Sequence, residues 1–379
     1  MAGDVVESAN ARFEAFGALH DGVARLVEAR IPVFGVAGNH DVEVLPRLAR
    51  SIPGYRLLGA GGTWEMVAIG RGGDPWAHVA GWSFPAPQVR VNPIRLPDFP
   101  RTAPSDLPLF GVLHCDLDGG TSPYAPVPRV DLERSDYRGW FLGHIHRPSV
   151  LDPRRPLGYL GSLVGIDPSE TGPRGPWLLA QDERGELDLC HVPLAPLRWE
   201  EIDIDTGELS TADALLDAIA RGIEALHRRL EHDPPRAVGC RVRLTGKTGI
   251  HRELRRLLEQ ESPEKVRLRH GSVLYFVAGF RDESRPELDL RCLSRGDHPA
   301  GLLARRLLVL EQGGDDAREM IGRVRRELEQ ELHGRPWAPL GSEELDDEKI
   351  RTLLLDAGSR ALEELLFQNE ASAPRVERR

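Results

Sequence analysis

Several residue types and patterns are scarce in this sequence, and each scarcity excludes a class of protein. Only four of the 379 residues are cysteine, and their wide separation matches neither a zinc site nor a disulfide framework. No window approaches about eighteen consecutive apolar residues, so the sequence predicts no membrane-spanning helix. The opening residues also lack the basic flank and apolar core of a signal peptide. Together these absences predict a protein of the reducing cytoplasm.

Motifs of common enzyme classes are absent too. The sequence has no phosphate-cradling P-loop, no G-x-S-x-G elbow, no CxxC pair and no internal repeat. Its net charge of −10 argues against a protein that coats nucleic acid through bulk electrostatics, although a local basic groove is compatible with it. The length exceeds the usual size of a single hydrophobic core, so it predicts more than one domain.

The first predicted elements indicate an α/β protein. Apolar positions recur with a helical period over residues 12–30, and a buried strand follows at 31–37. That strand ends in the polar segment Gly38-Asn39-His40-Asp41. A helix, a strand and polar residues at the strand's carboxyl end form the usual layout of an α/β active site.

Two later strands place histidines at the same kind of position. The apolar run at 109–113 leads into His114, and the run at 140–142 leads into Gly143-His144-Ile145-His146. Imidazole is a common ligand of transition metals. By itself, however, a G-H-x-H in a loop is more often two solvated histidines than a metal site.

The combination of these residues predicts a metal centre. Taken singly, Asp4 could be a helix cap or part of a disordered terminus, Asn39 a turn former, and His114 a core histidine bonded to backbone. Their coincidence at strand ends on one side of a sheet is hard to explain in that way. A carboxylate can bridge two divalent ions, while imidazoles and an amide carbonyl fill the other positions without excess negative charge. Such a pair of metals can drive in-line hydrolysis of a phosphoester.

The same residues carry a family resemblance. G-D at 3–4, G-N-H-D at 38–41, His114 and G-H-I-H at 143–146 resemble, in this order, the calcineurin-like metallophosphoesterases. More narrowly, H-C-D-L-D-G-G-T-S-P-Y-A-P from His114 and the G-S-L-V-G…E-T-G-P-R-G segment at 161–175 resemble the SbcD-type DNA-repair exonuclease subunits. The motifs cover residues 1 to about 180, and beyond about 200 the resemblance rests on the layout of elements alone.

The resemblance implies a role for each metal-type residue. Asp4 would bridge two metals, expected to be Mn²⁺. Asn39, His114 and His144 would complete one metal site, and His146 would serve the other.

The resemblance also assigns the acid chemistry and the overall activity. His40 would protonate the leaving group and would be oriented by Asp41. The implied function is that of a metal-dependent phosphodiesterase, a DNA exonuclease subunit in DNA repair. A phosphoesterase for small molecules or nucleotides, and a catalytically impaired structural subunit, are the alternatives.

The implied fold is α/β: a metallophosphoesterase β-sandwich flanked by helices, then a small α+β cap domain and C-terminal helices. The predicted boundaries are 1–195 for the nuclease domain, 196–299 for the cap and 300–379 for the helical region. The partners implied are DNA and an SbcC-type coiled-coil ATPase, which would bind the C-terminal helices; a homodimer is left open. Apolar stripes in those helices, at 320–332 and 350–366, are explained either as core or as a docking face.

One family feature is missing from the sequence. The family opens with a strand that ends in an Asp-x-His motif, which completes the second metal site, and no such motif precedes Asp4. The first strand, its helix and most of the second strand are missing with it. The expectation is therefore that the native start lies a few tens of residues upstream. The competing expectation is a genuine short form with one complete metal site.

Overall fold

A computed structural model describes residues 1–7, 12–71, 74–260, 262–332 and 346–372. The chain divides into two compact units. Met1–Trp199 with Pro235–Ala237 forms the first, and Glu200–Pro234 with Val238–Arg379 forms the second. The predicted domain boundaries, after residues 195 and 299, stay predictions.

The first unit contains most of the strands. In chain order they are β1 (Val33–Gly35), β2 (Tyr55–Leu57), β3 (Trp64–Arg71), β4 (Asp74–Trp82), β5 (Leu109–His114), β6 (Asp116–Leu117), β7 (Pro126–Val127), β8 (Gly139–Gly143), β9 (Leu157–Tyr159), β10 (Trp177–Gln181) and β11 (Leu187–His191). Its helices are α1 (Arg12–Glu28), α2 (Leu45–Ser51) and α3 (Arg129–Glu133), with a 3-10 turn at Pro93–Arg95. The predicted helix at 12–30 and the predicted strand at 31–37 are both confirmed, with shorter bounds.

A five-stranded mixed sheet, in the order β3-β4-β5-β8-β9, forms the centre of this unit. β3 runs antiparallel to β4, and the other neighbours run parallel. β1 and β2 form a separate parallel pair. The strands at the centre are buried because large apolar side chains, such as Trp82 and Trp140, fill the space beneath them. The predicted α/β class is confirmed.

Strand register determines which residues meet at the edge of the sheet. His114 at the end of β5 lies opposite Gly143 at the end of β8. Ala2 forms a parallel bridge with Val36, just after β1. Because parallel strands end on the same side, this pairing brings the segments around Asp4, the loop after β1, His114 and the G-H-I-H motif together.

The second unit contains a four-stranded sheet and the remaining helices. Its strands are β12 (Leu197–Asp205), β13 (Ala237–Thr245), β14 (Lys247–Thr248), β15 (Arg267–His270), β16 (Val273–Asp282) and β17 (Arg285–Pro286). Its helices are α4 (Ala214–Arg229), α5 (His251–Gln260), α6 (Leu290–Leu293), α7 (Pro299–Gln312), α8 (Asp315–Leu332) and α9 (Asp347–Ser372), with 3-10 turns at Thr206–Glu208 and Pro263–Lys265. The sheet order is β12-β13-β16-β15. None of the helices in the described ranges has the length and hydropathy needed to cross a bilayer.

The C-terminal helices α7, α8 and α9 bury most of the two apolar stripes against one another. Ile321 on α8, and Ile350 and Leu362 on α9, are among the buried side chains of this cluster. Leu353 on α9, by contrast, is 52% exposed. Packing within the unit therefore accounts for most of both stripes, so the stripes alone give no support to the docking interpretation, and the ATPase partner stays a prediction.

Two adjacent leucines on α4 provide a matched test of the second core. Leu215 is 1% exposed, whereas Leu216 is 57% exposed. Leu215→Ala is expected to lower the free energy of unfolding by about 2–3 kcal/mol, because it removes buried methyl groups and leaves a cavity. Leu216→Ala, the same change on the same helix, is expected to shift it by less than about 0.5 kcal/mol. Urea denaturation of the two variants measures the difference, and equal losses would contradict the placement of α4.

Candidate metal centre

Three backbone segments approach closely at the edge of the central sheet, and two glycines make this possible. A β-carbon on Gly143 would lie 1.8 Å from the carbonyl oxygen of Ala2 and 2.9 Å from Nδ1 of His114. A β-carbon on Gly38 would lie 2.3 Å from a carboxylate oxygen of Asp4. Any side chain at either position would separate the segments that carry the predicted ligands.

His114 is fully buried, and its contacts set its protonation. Its Nδ1 lies 3.0 Å from the carbonyl oxygen of Ala2, which can only accept, so Nδ1 carries the proton. Its Nε2 lies 3.0 Å from Oδ1 of Asn39 and 3.2 Å from Oδ2 of Asp4. With Nδ1–H as the donor of the ring, Nε2 and the two oxygen atoms are all acceptors, and a cation among them would satisfy all three.

The donor set fits a divalent metal. The ligand atoms of Asp4, His114 and His144 all lie within 4.8 Å of one another. In the described part of the chain, this is the one group of three or more histidine, cysteine or acidic side chains with such a spacing. With the amide oxygen of Asn39, the group offers one carboxylate, two imidazoles and one neutral oxygen, a mixed oxygen and nitrogen set that suits a divalent cation such as Mn²⁺ or Zn²⁺. The structure thus brings together four of the predicted ligands.

The electrostatics of the group favour the protonation states that a metal needs. Burial disfavours ionisation of Asp4, but the hydrogen bond and charge of His114 and the backbone N–H of His40 outweigh it, so the pKa of Asp4 lies below its ordinary value. Burial lowers the pKa of His144, and the charge of His114 adds to this effect. An ionised Asp4 and a neutral His144 are the ligand forms.

Two of the ligands have strained backbones. His144 has a φ of 106° and Asp4 a φ of 50°, values that residues other than glycine seldom adopt. Such conformations cost about 1–3 kcal/mol each and persist only where the surroundings fix them. Both side chains contact His114: Oδ2 of Asp4 lies 3.2 Å from its Nε2, and the ring centroid of His144 lies 5.3 Å from its ring centroid.

The structure gives His40 and Asp41 different contacts from those predicted. Both carboxylate oxygens of the buried Asp41 accept backbone N–H groups, from Val5 and from Gly38, each at 2.7 Å. The exposed ring of His40 lies beside Glu7, with Nδ1 and Oε1 3.3 Å apart. In these contacts Asp41 fixes the loop backbone and Glu7 contacts the His40 ring, so the orienting role of Asp41 stays a prediction. Sequence patterns had not singled out Glu7.

His146 lies outside the group of converging ligands. Its Nδ1 is 2.6 Å from Oε1 of Glu170, and its carbonyl oxygen accepts from Nη1 of Arg174, also at 2.6 Å. Both partners belong to the E-T-G-P-R-G segment, which the sequence had marked only as part of a family resemblance.

Comparisons with known proteins agree with this geometry. Residues 1–148 match the family model for calcineurin-like phosphoesterases, and residues 199–273 match the model for the middle domain of metallophosphoesterase YhaO. The chain is 27% identical over 233 residues to the "uncharacterized metallophosphoesterase YhaO" of Bacillus subtilis (strain 168). The alignment covers 60% of this chain and 56% of that relative, so the chain spans little more than half of the relative's length.

These matches confirm the predicted metallophosphoesterase resemblance, whereas the narrower SbcD-type assignment stays a prediction. They also support the interpretation of the converging residues as ligands for divalent metal. Residues 1–148 are thus similar to the calcineurin-like phosphoesterases, and residues 199–273 are similar to the YhaO middle domain.

Proposed function

We propose that this protein is a metal-dependent phosphodiesterase that acts on DNA ends, as an exonuclease subunit in DNA repair. The observation that carries the hydrolytic part is the convergence of Asp4, Asn39, His114 and His144 on one point that lacks a donor. The DNA substrate is supported by the SbcD-like motifs and by the layout of a second α+β unit with C-terminal helices.

The residues divide the chemistry between them. Asp4, Asn39, His114 and His144 would hold one divalent metal, and His146 would contribute to a second. The metals, expected to be Mn²⁺, polarise the phosphoryl group and activate the attacking water when bound. The backbone N–H of His40 donates to Oδ1 of Asp4, and this hydrogen bond holds His40 beside the metal centre.

His40 is the proposed general acid. Its ring is exposed, and a carboxylate oxygen of Glu7 lies 3.2 Å from its Nδ1. In its imidazolium form, a histidine at this place can give a proton to the leaving oxygen. Because the ring of His40 is exposed, a substrate that occupies the metal centre can reach it.

The proposal includes a partner and a location. A coiled-coil ATPase of the SbcC type would bind the C-terminal helices and supply part of the DNA affinity, since the chain itself has a net charge of −10. The four cysteines are all unpaired, in agreement with a reducing cytoplasm. The competing substrate is a small phosphoester, because the relative's description names no substrate.

Hydrolysis of linear duplex DNA with Mn²⁺, compared with hydrolysis of bis(p-nitrophenyl) phosphate, tests the proposal. His40→Ala is expected to lower the rate on DNA about 100-fold, because general acid catalysis is lost while the metal ligands remain. His20→Ala on α1 is the matched control: His20 also has a carboxylate neighbour, Asp21, and is exposed.

The possible outcomes separate the parts of the proposal. Full activity of His40→Ala would show that His40 is not the acid. Hydrolysis of the small ester without any cleavage of DNA would overturn the DNA substrate and favour the competing one.

A further inference from the structure

The G-S-L-V-G…E-T-G-P-R-G segment, which the metal centre does not account for, converges on His146. Oε1 of Glu170 accepts from Nδ1 of His146 at 2.6 Å. Oε2 of Glu170 accepts from Oγ of Ser162 at 3.2 Å and from the backbone N–H of Ile166 at 3.3 Å. Both carboxylate oxygens of Glu170 therefore accept hydrogen bonds. One bond comes from the His146 ring, and the other two come from a hydroxyl and a backbone amide.

The backbone of His146 is held by the same segment. Its carbonyl oxygen accepts from the backbone N–H of Ser162 at 2.9 Å and from Nη1 of Arg174 at 2.6 Å. Arg174 is 2% exposed, and its other terminal nitrogen donates to the carbonyl of Thr171 at 3.4 Å. The ring and the carbonyl group of His146 are thus both held by residues of one segment, 16 to 28 positions later in the chain.

An ordinary surface ion pair does not explain this arrangement. Such pairs contribute little and join two mobile side chains. Here the side chain of Glu170 is only 13% exposed, and it is held by a backbone amide and a hydroxyl in addition to the ring. A carboxylate restrained in this way selects one orientation and one tautomer of the imidazole.

We infer that Glu170 is a positioning residue that holds His146 as the Nδ1–H tautomer, with Nε2 as its metal-ligand atom. A carboxylate accepts and cannot donate, so the proton must lie on Nδ1, and the lone pair of Nε2 is left for the metal. Carboxylate–histidine–metal arrangements of this kind fix the tautomer and the orientation of the ring. The inference deepens the proposed function and rests on it for the catalytic role of His146.

The tautomer can be read without metal or substrate. In the ¹⁵N-histidine spectrum of the full, metal-free chain, we expect the His146 ring of the wild type to show protonated Nδ1. Glu170→Ala should shift the ring toward the Nε2–H tautomer, and Glu170→Gln, whose amide oxygen still accepts, should largely restore Nδ1–H. Glu183→Ala, an exposed glutamate in the turn between β10 and β11, is the matched control and should change nothing.

Metal binding supplies the second readout. The Mn²⁺ concentration that half-broadens the His146 resonance should rise about 10- to 100-fold in Glu170→Ala, as expected for loss of a group that orients a ligand. In Glu170→Gln it should remain close to that of the wild type. Ser162→Ala, which removes a donor to Glu170, should cause a smaller shift in both readouts and provides a milder variant if Glu170→Ala does not fold.

Two results would overturn the inference. One is an unchanged His146 tautomer in Glu170→Ala and Ser162→Ala. The other is tighter Mn²⁺ binding without Glu170, which would show that Nδ1 is the ligand atom and that Glu170 competes with the metal. Absence of phosphoester hydrolysis by the wild type counts against the proposed function instead, because neither readout uses a substrate.

Discussion

Replacing Gly143 by alanine is expected to destabilise the chain by more than about 3 kcal/mol and to abolish metal binding. The new β-carbon would lie 1.8 Å from the backbone oxygen of Ala2, far inside contact distance. Neither segment can yield easily, since β8 pairs with β5 and β9, and Ala2 bridges Val36. Among small-to-large substitutions, those that force a new side chain against backbone atoms lower the free energy of unfolding the most. Urea denaturation and Mn²⁺ titration measure the two effects.

Gly22→Ala on α1 is the control for the loss of glycine itself. A β-carbon there meets no atom within 4 Å, and alanine is a better helix former, so the chain should become more stable by up to about 1 kcal/mol. Opposite signs for the two glycine substitutions are the expected pattern. A Gly143→Ala protein as stable as the wild type would show that Ala2 does not lie against β8.

Replacing Asp4 by asparagine is expected to lower the affinity for Mn²⁺ by about 1000-fold while leaving the metal-free fold intact. The loss should exceed the 10- to 100-fold typical of groups that only orient a ligand, because a charged ligand is removed. The new side-chain amide keeps an oxygen for the N–H of His40 and can donate to Nε2 of His114, 3.2 Å from the present carboxylate oxygen. The N–H of the new amide supplies a donor to Nε2 of His114, which faces only acceptor oxygens of Asp4 and Asn39 in the wild type. The thermal midpoint should therefore not fall.

Asp21→Asn is the matched control for this substitution. Asp21 is an exposed aspartate on α1 whose neighbour is also a histidine, His20. Metal affinity and thermal midpoint should both remain those of the wild type. If Asp4→Asn bound Mn²⁺ as tightly as the wild type, the converging group would not be the metal centre.

Much of the fold and four of the candidate ligands could be predicted because their signals are local. A helical period over 12–30 and apolar runs before Asn39, His114 and His144 report burial directly, and the carboxyl ends of parallel strands meet at one edge. The orienting role of Asp41 stays a prediction, and its contacts show where such local signals end. Its neighbour in sequence is His40, but its carboxylate is used by backbone amides of Val5 and Gly38, which no periodicity reports.

By itself the sequence determined the α/β class, the main strands along the chain that lead to the site, and the polar residues that follow them. Only the tertiary structure decided that three acceptors meet at Nε2 of His114, that His144 takes a φ of 106°, and that Glu170 holds His146. The physical reason is separation along the chain. Asp4 and His114 are brought together by strand pairing and by close glycine contacts, and such contacts depend on loop conformations that residue patterns do not encode.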